Sequence, residues 1–205
     1  MAYIWEYYKI YIISGLAVIG IIIAFINTYQ RNNYTTECSL IVVDGKMTGF
    51  DTSSDAITTG FQKYLGLDGK KHRIVCDYNF SIIPRDMDLE SYYSEEKIYT
   101  LASTSSLDGI IANDDYITYF CDPREVFFTD LREILSVEEL SKIQDYIIYY
   151  SPDEESDPIP VAVNLTGTKI KTSTDLTMEN PCYGVVCTAP NAQNAVSFIR
   201  YAFDL

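Results

Sequence analysis

The chain has 205 residues, of which 47% are hydrophobic, and a formal net charge of −14 at pH 7. A chain of this length can bury one substantial hydrophobic core but not comfortably two. The acidic balance argues against a nucleic-acid partner, because phosphate binding needs a positive surface. The basic residues cluster only at Lys70, Lys71, His72 and Arg73, which we interpret as a solvated turn.

An uncharged segment near the amino terminus, residues 10–30, is bracketed by Lys9 and Arg31. As a helix it would extend about 30 Å, which is the thickness of the hydrocarbon core of a bilayer. Aromatic residues at both of its ends favour a spanning helix, since such rings prefer the headgroup layer. A cleaved signal peptide is the competing interpretation, but a basic n-region and small exit residues are missing. The sequence therefore predicts a membrane anchor at 1–31 and one domain at 32–205.

Charge also bears on which side of the membrane the domain lies. Lys9 and the amino terminus on one side oppose Arg31 and Lys46 on the other, so basic residues near the segment do not decide the orientation. Of the 29 acidic residues, all except Glu6 follow the segment, which disfavours close approach to an anionic inner leaflet. We therefore expect a single-pass protein of the cell membrane with an extracellular domain.

Short apolar runs alternate with helical periodicity in the first half of the domain. SLIVVD at 39–44 is β-branched and ends at Gly45, as a buried strand does. A helix capped within 52–55 follows, and then a strand with period-two alternation from Arg73 to Ile82. Ser94 is predicted to cap the next helix, and LDGIIA at 107–112 to form a third strand. Such alternation predicts a parallel sheet whose right-handed crossovers place the first strand between the second and third.

The second half is predicted to begin with helices and to end with strands. A helix over 122–135 is followed by a capping box at Ser136 and Glu139, which begins a helix reaching Ile147. PDEESDP at 152–158 is a hydrophilic loop. Strands are predicted at 159–165 and 183–189, separated by a Thr-rich stretch that is either a hairpin arm or a loop. Asn191 can cap a final amphipathic helix. The predicted fold class is α/β, with a transmembrane helix before a single domain built on a mostly parallel sheet.

The order of these elements resembles the type 2 periplasmic-binding-protein fold of extracellular solute-binding proteins, in their short membrane-anchored form. The resemblance covers about Cys38 to Phe203. It rests on four segments: SLIVVD, Glu96-Lys97 leading into SSLDGIIA at 105–112, Phe128-x-Asp130-Leu131, and YGVV at 183–186 with the helix after it. It implies capture of a small ligand, or its presentation to a membrane transporter or sensor. A full binding protein has two lobes and is longer, so the same fold could equally serve as a scaffold.

Open parallel sheets bind ligands at the carboxyl ends of their strands. The first, third and fourth predicted strands are each followed by polar residues, which gives six candidate ligand-binding residues: Asp44, Lys46, Asn113, Asp114, Thr166 and Thr168. Each cluster has a structural alternative. Asp-Gly and Thr-Gly are turn formers, and Asn113-Asp114-Asp115 can cap a short helix.

Catalytic patterns are missing from the sequence. The only histidine, His72, lies in a basic run that would suppress its basicity, and the serine-hydrolase, P-loop, dinucleotide and zinc-protease patterns do not occur. The five cysteines include no CxxC pair and are interpreted as buried thiols. A Cys182–Cys187 disulfide would need a turn at Tyr183-Gly184. We expect a non-catalytic protein without a cofactor or metal.

Two functions rank ahead of an enzyme, which comes third, and a pilin-like subunit, which comes fourth. The leading hypothesis is an extracytoplasmic solute-binding-like protein, which the anchor holds at high effective concentration beside a membrane transporter or sensor. The alternative is an interaction or assembly subunit of a membrane complex, in which 18 tyrosines and nine phenylalanines serve protein contacts. A ligand-dependent rise in stability would mark the first function. Stable co-purification with a membrane complex would mark the second.

Overall fold

A computed structural model describes residues 2–45, 56–83, 88–121, 127–152, 157–173, 176 and 178–205. A π-helical turn (Ala56–Gly60) and a 3-10 turn (Gln144–Tyr146) accompany the regular elements. In chain order, the helices and strands are α1 (Ala2–Asn32), β1 (Thr35–Val43), α2 (Phe61–Tyr64), β2 (His72–Phe80), α3 (Leu89–Ser103), β3 (Gly109–Asn113), α4 (Asp114–Phe120), α5 (Leu131–Ile134), α6 (Val137–Lys142), β4 (Ile147–Tyr150), β5 (Ile159–Asn164), α7 (Lys169–Ser173), β6 (Pro181–Val185) and α8 (Ala192–Phe203).

Helix α1 is apolar over Ile10–Tyr29, a window of 20 residues with a mean hydropathy of 2.4. At about 1.5 Å per residue this window extends about 30 Å, enough to cross the hydrocarbon core of a bilayer. None of the window is buried against the rest of the chain. Of the helices that the structure describes, α1 is the one long and apolar enough to cross a membrane.

The described strands form one six-stranded sheet in the order β2-β1-β3-β6-β5-β4. β1 is parallel to both neighbours, with Leu40 opposite Cys76 of β2 and Gly109 of β3. The predicted position of the first strand, between the second and third, is therefore confirmed. β6 is antiparallel to β3 and to β5, and β4 is antiparallel to β5. The predicted mostly parallel sheet is wrong, because the sheet is mixed.

The antiparallel half of the sheet contains a strand that the sequence analysis assigned to a helix. Helix α6 ends at Lys142, and Ile147, which was expected on that helix, begins β4 instead. The run Ile-Ile-Tyr-Tyr consists of β-branched and aromatic residues, which favour a strand. The connection from Tyr150 to Ile159 is too short for a helical crossover, so β5 returns antiparallel to β4.

Apolar side chains cover both faces of the sheet. Leu40 and Val42 belong to one buried cluster, and Ile41 and Val43 belong to the other, because successive side chains of a strand point to opposite faces. Helices α2 and α8 pack in the first cluster, whereas α3 and α4 pack in the second. A strand covered on both sides reads as a continuous apolar run, which explains the pattern of SLIVVD.

The predicted helix starts at Ser136, Ser94 and Asn191 lie among the described residues. Asn191 has the N-cap position of α8, as predicted, but its side chain makes no capping bond. Ser136 and Glu139 form the predicted capping box, with bonds of 3.2 Å and 2.8 Å between their side chains and backbone N–H groups. The predicted cap at Ser94 is wrong. Asp88 caps α3 by accepting a bond from Ser91 N at 2.7 Å, and the hydroxyl of Ser94, inside the helix, accepts one from Ser81 N at 3.2 Å.

Other boundaries differ because long-range contacts end or extend the elements. Residues 122–126 of the predicted helix over 122–135 lie outside the described residues, as does the predicted cap at 52–55. Within 127–135 the helix is limited to α5, and Phe128 forms a β-bridge with Val186 instead. Within the Thr-rich stretch, Lys169–Ser173 forms α7, whereas residues 174, 175 and 177 lie outside the described residues. β6 begins at Pro181 and ends at Val185, earlier than predicted at both ends.

Candidate functional site

The candidate ligand-binding residues follow strands that end at the same edge of the sheet. β1 and β3 are parallel, and β5 has the same direction because β6 is antiparallel to both β3 and β5. Asn113, at the end of β3, is opposite Pro181, and Asn164, at the end of β5, is opposite Cys182. The amino end of β6 thus lies between these two carboxyl ends.

Asp44 connects the carboxyl ends of β1 and β2 to α4. Its backbone has a left-handed φ of 54°, and its carboxylate accepts bonds from the Ser81 hydroxyl at 2.6 Å and from Ile82 N at 3.3 Å. The carboxylate is also hydrogen-bonded to the hydroxyl of Tyr116. Burial, together with this contact, raises the pKa of Tyr116 to about 12. The Asp44 side chain is therefore part of the internal bonding of this edge.

Asn113 and Asp114 lie at the start of α4, where the sequence analysis weighed helix capping against ligand binding. Asn113 has the N-cap position, but its side chain makes no capping bond and instead accepts one from Asn180 N at 3.2 Å. Asp114 accepts a bond from Asp115 N at 3.1 Å. Burial, with a smaller contribution from the charge of Asp114, raises the pKa of Cys182 to about 12. The short helix of the structural alternative is present.

The residues after β5 form a turn. Thr166 N donates to Asn164 Oδ1 at 2.8 Å, and the Thr166 side chain is exposed. Thr168 is buried; its hydroxyl donates to Leu165 O at 2.8 Å and accepts a bond from Ile170 N at 3.3 Å. Lys46, the remaining candidate, lies outside the described residues.

Apolar side chains cover the end of β1, close to the point where open α/β sheets bind ligands. A Cβ atom added to Gly45 would lie 3.0 Å from Met178 Cε and 3.4 Å from Leu176 Cδ2, and both of these residues are buried. The ammonium of Lys171 holds their segment in place by donating to the carbonyl oxygens of Leu176, at 2.9 Å, and Met178. This part of the crevice is filled by the chain itself.

A cavity of about 500 Å³ lies beyond the end of β5, in the size range of small-molecule sites. Gly167 and Thr168 line it together with two lysines, Lys142 and Lys169. Lys169 is paired with Asp204, whereas the described residues provide no partner for the ammonium of Lys142. A lysine without a counter-ion suits an anionic group. Of the six candidate residues, Thr168 is the one that lines this cavity.

A fully buried carboxylate at the opposite edge of the sheet was not singled out from the sequence. Asp108 Oδ2 accepts bonds from Ser39 N at 2.7 Å and Asn191 Nδ2 at 3.1 Å, and Oδ1 accepts one from Asn191 N at 2.6 Å. These bonds tie β1, β3 and the start of α8 together. The sequence feature that could have indicated this buried carboxylate is the aspartate inside the otherwise apolar run LDGIIA.

Reactive groups are dispersed over the described part of the chain. It contains no cluster of three or more His, Cys, Asp or Glu side chains that could hold a metal ion. His72 Nδ1 lies 2.5 Å from Glu37 Oε1 at the surface. All five cysteines are described, and no disulfide joins them, so the Cys182–Cys187 alternative is not formed. Cys187 is exposed rather than buried.

Comparison of the chain with models of protein families, with curated proteins and with solved structures finds no match. The resemblance to solute-binding proteins therefore remains a prediction from the sequence.

Proposed function

We propose that this protein is a single-pass membrane protein whose extracytoplasmic domain acts as a non-catalytic interaction or assembly subunit of a membrane complex. In this proposal α1 is retained as an anchor and is not removed as a signal sequence, and the domain uses a solute-binding-protein-like α/β architecture as a scaffold. Only Asn33 and Tyr34 lie between α1 and β1, so the domain would be held directly at the membrane surface.

The observation that carries the proposal is the internal bonding of the predicted ligand-binding edge. The carboxylate of Asp44, the amide of Asn113 and the hydroxyl of Thr168 each bond to other groups of the domain. Leu176 and Met178 cover Gly45 beside them. A ligand at this edge would have to displace these contacts, of the half-buried Asp44 and Asn113 and the buried Thr168, and polar groups removed from water are costly to leave unpaired. This favours a scaffold over a ligand cleft.

An exposed apolar surface supports a protein partner. Ile83, Leu89, Tyr92 and Tyr93, here called the aromatic patch, lie at the end of β2 and the start of α3, and Leu89 is 70% exposed. Ile83 N donates to the hydroxyl of Ser91 at 2.9 Å, which holds it beside the helix. Clustered exposed apolar residues of this kind are typical of protein interfaces, where tyrosine is enriched.

The surroundings of the aromatic patch indicate the chemistry of the partner. A cavity of about 460 Å³, lined by Phe80, Leu89 and Tyr93, lies beside it. The exposed carboxylates of Asp88 and Glu90 border the patch. Complementary charge across an interface favours binding and steers encounter. Because Lys97 also lines the cavity, charges of both signs surround the patch, and we infer a membrane-protein partner that inserts an apolar side chain into this cavity.

The test uses a photo-crosslinking amino acid in the full chain, placed at Tyr93 or, as a control, at the similarly exposed Tyr149 on β4. We expect one membrane protein to crosslink from position 93 and not from position 149. Tyr93→Asp should then weaken binding of that purified protein by tenfold or more, on the order of a lost interface anchor, while Tyr149→Asp leaves it unchanged. Equal binding by both variants would refute the proposal.

Capture of a small anion is the second candidate function, and the cavity beside Thr168 with the ammonium of Lys142 favours it. Thermal unfolding of the full chain in detergent against sugars, amino acids, peptides and phosphate tests it. A rise in Tm with an anionic class that is lost in Lys142→Ala, and kept in the exposed control Lys63→Ala, would support capture and count against the scaffold. A flat panel would remove this candidate.

A further inference from the structure

The basic cluster of Lys70, Lys71, His72 and Arg73 lies beside the point where the chain leaves α1. Thr35, the first residue of β1, donates its N–H to Lys71 O at 2.7 Å and is paired with His72. Neighbouring strands are about 4.8 Å apart. The start of β2, with its basic residues, is therefore fixed next to the start of β1.

The connection between α1 and β1 limits how far this point can be from the membrane. The apolar window ends at Tyr29, and the bond from Asn33 N to Tyr29 O, 2.9 Å long, continues the helical path. From Tyr29 to Thr35 the chain can advance at most about 13 Å, because helical residues rise about 1.5 Å each and extended residues about 3.5 Å. The headgroup layer covers about half of this distance.

Two cations of the cluster have no side-chain partner within the described part of the chain. These are the ammonium groups of Lys70 and Lys71, and both residues are exposed. Arg73 is held in place, since its Nε donates to Gly69 O at 3.0 Å and its guanidinium lies 4.5 Å from the ring centroid of Tyr34. Tyr34 itself belongs to the connection with α1.

The carboxylates near the cluster have local partners. Glu37 contacts the ring of His72. Asp68 accepts bonds from the backbone N–H groups of Lys70 and Lys71 at 3.0 Å and 2.9 Å, which shape the turn. These two acids lower the net positive charge of the region, but neither pairs with the ammonium of a lysine. The lysines are thus available to an external anion.

We propose that Lys70 and Lys71, with Arg73, bind the phosphates of anionic lipid headgroups beside α1. The inference rests on the anchoring by α1 that is part of the proposed function, and it concerns the leaflet that faces the extracytoplasmic domain, not the inner leaflet. The rest of the domain is strongly acidic and would be repelled by an anionic membrane, so the position of its basic cluster at the tether is complementary to that surface.

This contact would orient the domain on the membrane. β1 has nine residues, or about 30 Å of strand, between the basic cluster at one edge of the sheet and Asp44 at the other. The aromatic patch follows the far end of β2 and would lie on the side away from the lipid. A headgroup contact at the near edge would therefore present the aromatic patch to a partner above the membrane.

The experiment measures backbone hydrogen exchange of the full chain in lipid nanodiscs. One set of discs contains phosphatidylcholine alone, and the other contains about 30% phosphatidylglycerol to supply anionic headgroups. We expect backbone exchange within residues 68–73 to be about threefold slower in the anionic discs than in the phosphatidylcholine discs at about 0.1 M salt. At about 0.5 M salt this difference between the discs should disappear, because salt screens contacts between charges. Lys71→Glu should abolish the difference. The control Lys63→Glu, at an exposed lysine outside the cluster, should keep it.

The outcomes separate the lipid contact from the anchor. A chain that does not co-elute with the discs overturns the anchor and, with it, the lipid contact. A chain that co-elutes but exchanges equally in both discs overturns the lipid contact alone, as does equal protection in Lys71→Glu. Inorganic phosphate added to phosphatidylcholine discs should give no protection; if it does, the cluster binds free anions and the lipid proposal is wrong.

Discussion

Arg200, on α8, donates its Nε–H to Glu139 Oε1 at 2.6 Å, while Glu139 also completes the capping box of α6. A second bond, from Arg200 Nη2 to Oε2, is 3.4 Å long. The guanidinium, followed by the bonds from Ser136, lowers the pKa of Glu139 to about 2. One carboxylate thus joins the last helix of the chain to the segment before β4.

This pair predicts a stability that depends on pH. Because the pKa of Glu139 is lower in the folded state than its ordinary value of 4.5, its contribution is complete above about pH 5 and is lost as the pH falls toward 2. Glu139→Gln should lower the free energy of unfolding at pH 7 by on the order of 1–2 kcal/mol, allowing for solvent screening of a partly exposed pair.

Urea denaturation of the full chain in detergent, at pH 7 and near pH 3, checks this prediction. The difference between wild type and Glu139→Gln should shrink at the lower pH. Glu138→Gln removes an exposed neighbouring carboxylate and is the matched control, expected to be nearly neutral. If Glu139→Gln lowers the free energy of unfolding by the same amount at both pH values, the ion pair with Arg200 is not the cause of the loss.

The buried carboxylate of Asp108 gives a second prediction. It accepts three N–H bonds, from Ser39 and from the backbone and side chain of Asn191. Asp108→Ala would leave these buried donors without an acceptor and should cost about 3 kcal/mol or more. Asp108→Asn keeps one carbonyl oxygen and should cost less. Urea denaturation ranks the two variants, with the exposed Asp115→Ala as control; an Asp108→Ala penalty below 1 kcal/mol would contradict the bonding described.

The parallel half of the fold could be predicted from the sequence because its signals are local. Val42 and Ile111 lie in short β-branched runs that end at turn residues, and a helical segment follows each run. The crossover rule then supplied the order of the three strands. The antiparallel half depends on long-range pairing. The apolar pattern of β6 does not encode its direction, which is fixed by pairs such as Gly109 with Val185.

The sequence could predict where the candidate site residues lie, but not the hydrogen-bond partners of their side chains. The rule for parallel strands indicates which residues share an edge, and Asp44 and Asn113 do follow strands that end there. Whether their side chains are available depends on partners far along the chain. Ser81 binds Asp44, and Met178 covers Gly45. Such contacts arise only when the chain is folded, and no local pattern indicates them.

Gly109 gives a third prediction, since its lack of a side chain makes room for Tyr183. A Cβ atom at position 109 would lie 2.5 Å from the Tyr183 hydroxyl and 2.8 Å from its Cζ. Tyr183 is fully buried and donates its hydroxyl to Ala195 O at 3.0 Å, so the ring cannot move aside without losing that bond. Gly109→Ala should destabilise the domain by about 1–3 kcal/mol through overpacking.

Urea denaturation of Gly109→Ala checks this prediction, and Tyr183→Phe separates the two effects. Loss of the hydroxyl alone should cost about 1 kcal/mol, because that is the net contribution of a typical hydrogen bond to stability. A Gly109→Ala protein as stable as wild type would show that the strand and the ring can separate at little cost.

Cys187 gives the last prediction, which concerns the side of the membrane on which the domain lies. It is the exposed cysteine of the five, whereas Cys38 and Cys182 are buried. Burial raises the pKa of Cys182 to about 12 and that of Cys38 well above its ordinary value, and the thiolate is the reactive form. A maleimide should therefore label the folded protein mainly at Cys187, and a membrane-impermeant maleimide should label the full chain in intact cells if the domain is outside.

Cys187→Ser should remove this label, and Cys38→Ser should keep it. Labelling only after permeabilisation would place the domain inside, because an exposed thiol would then be shielded by the membrane and not by the fold.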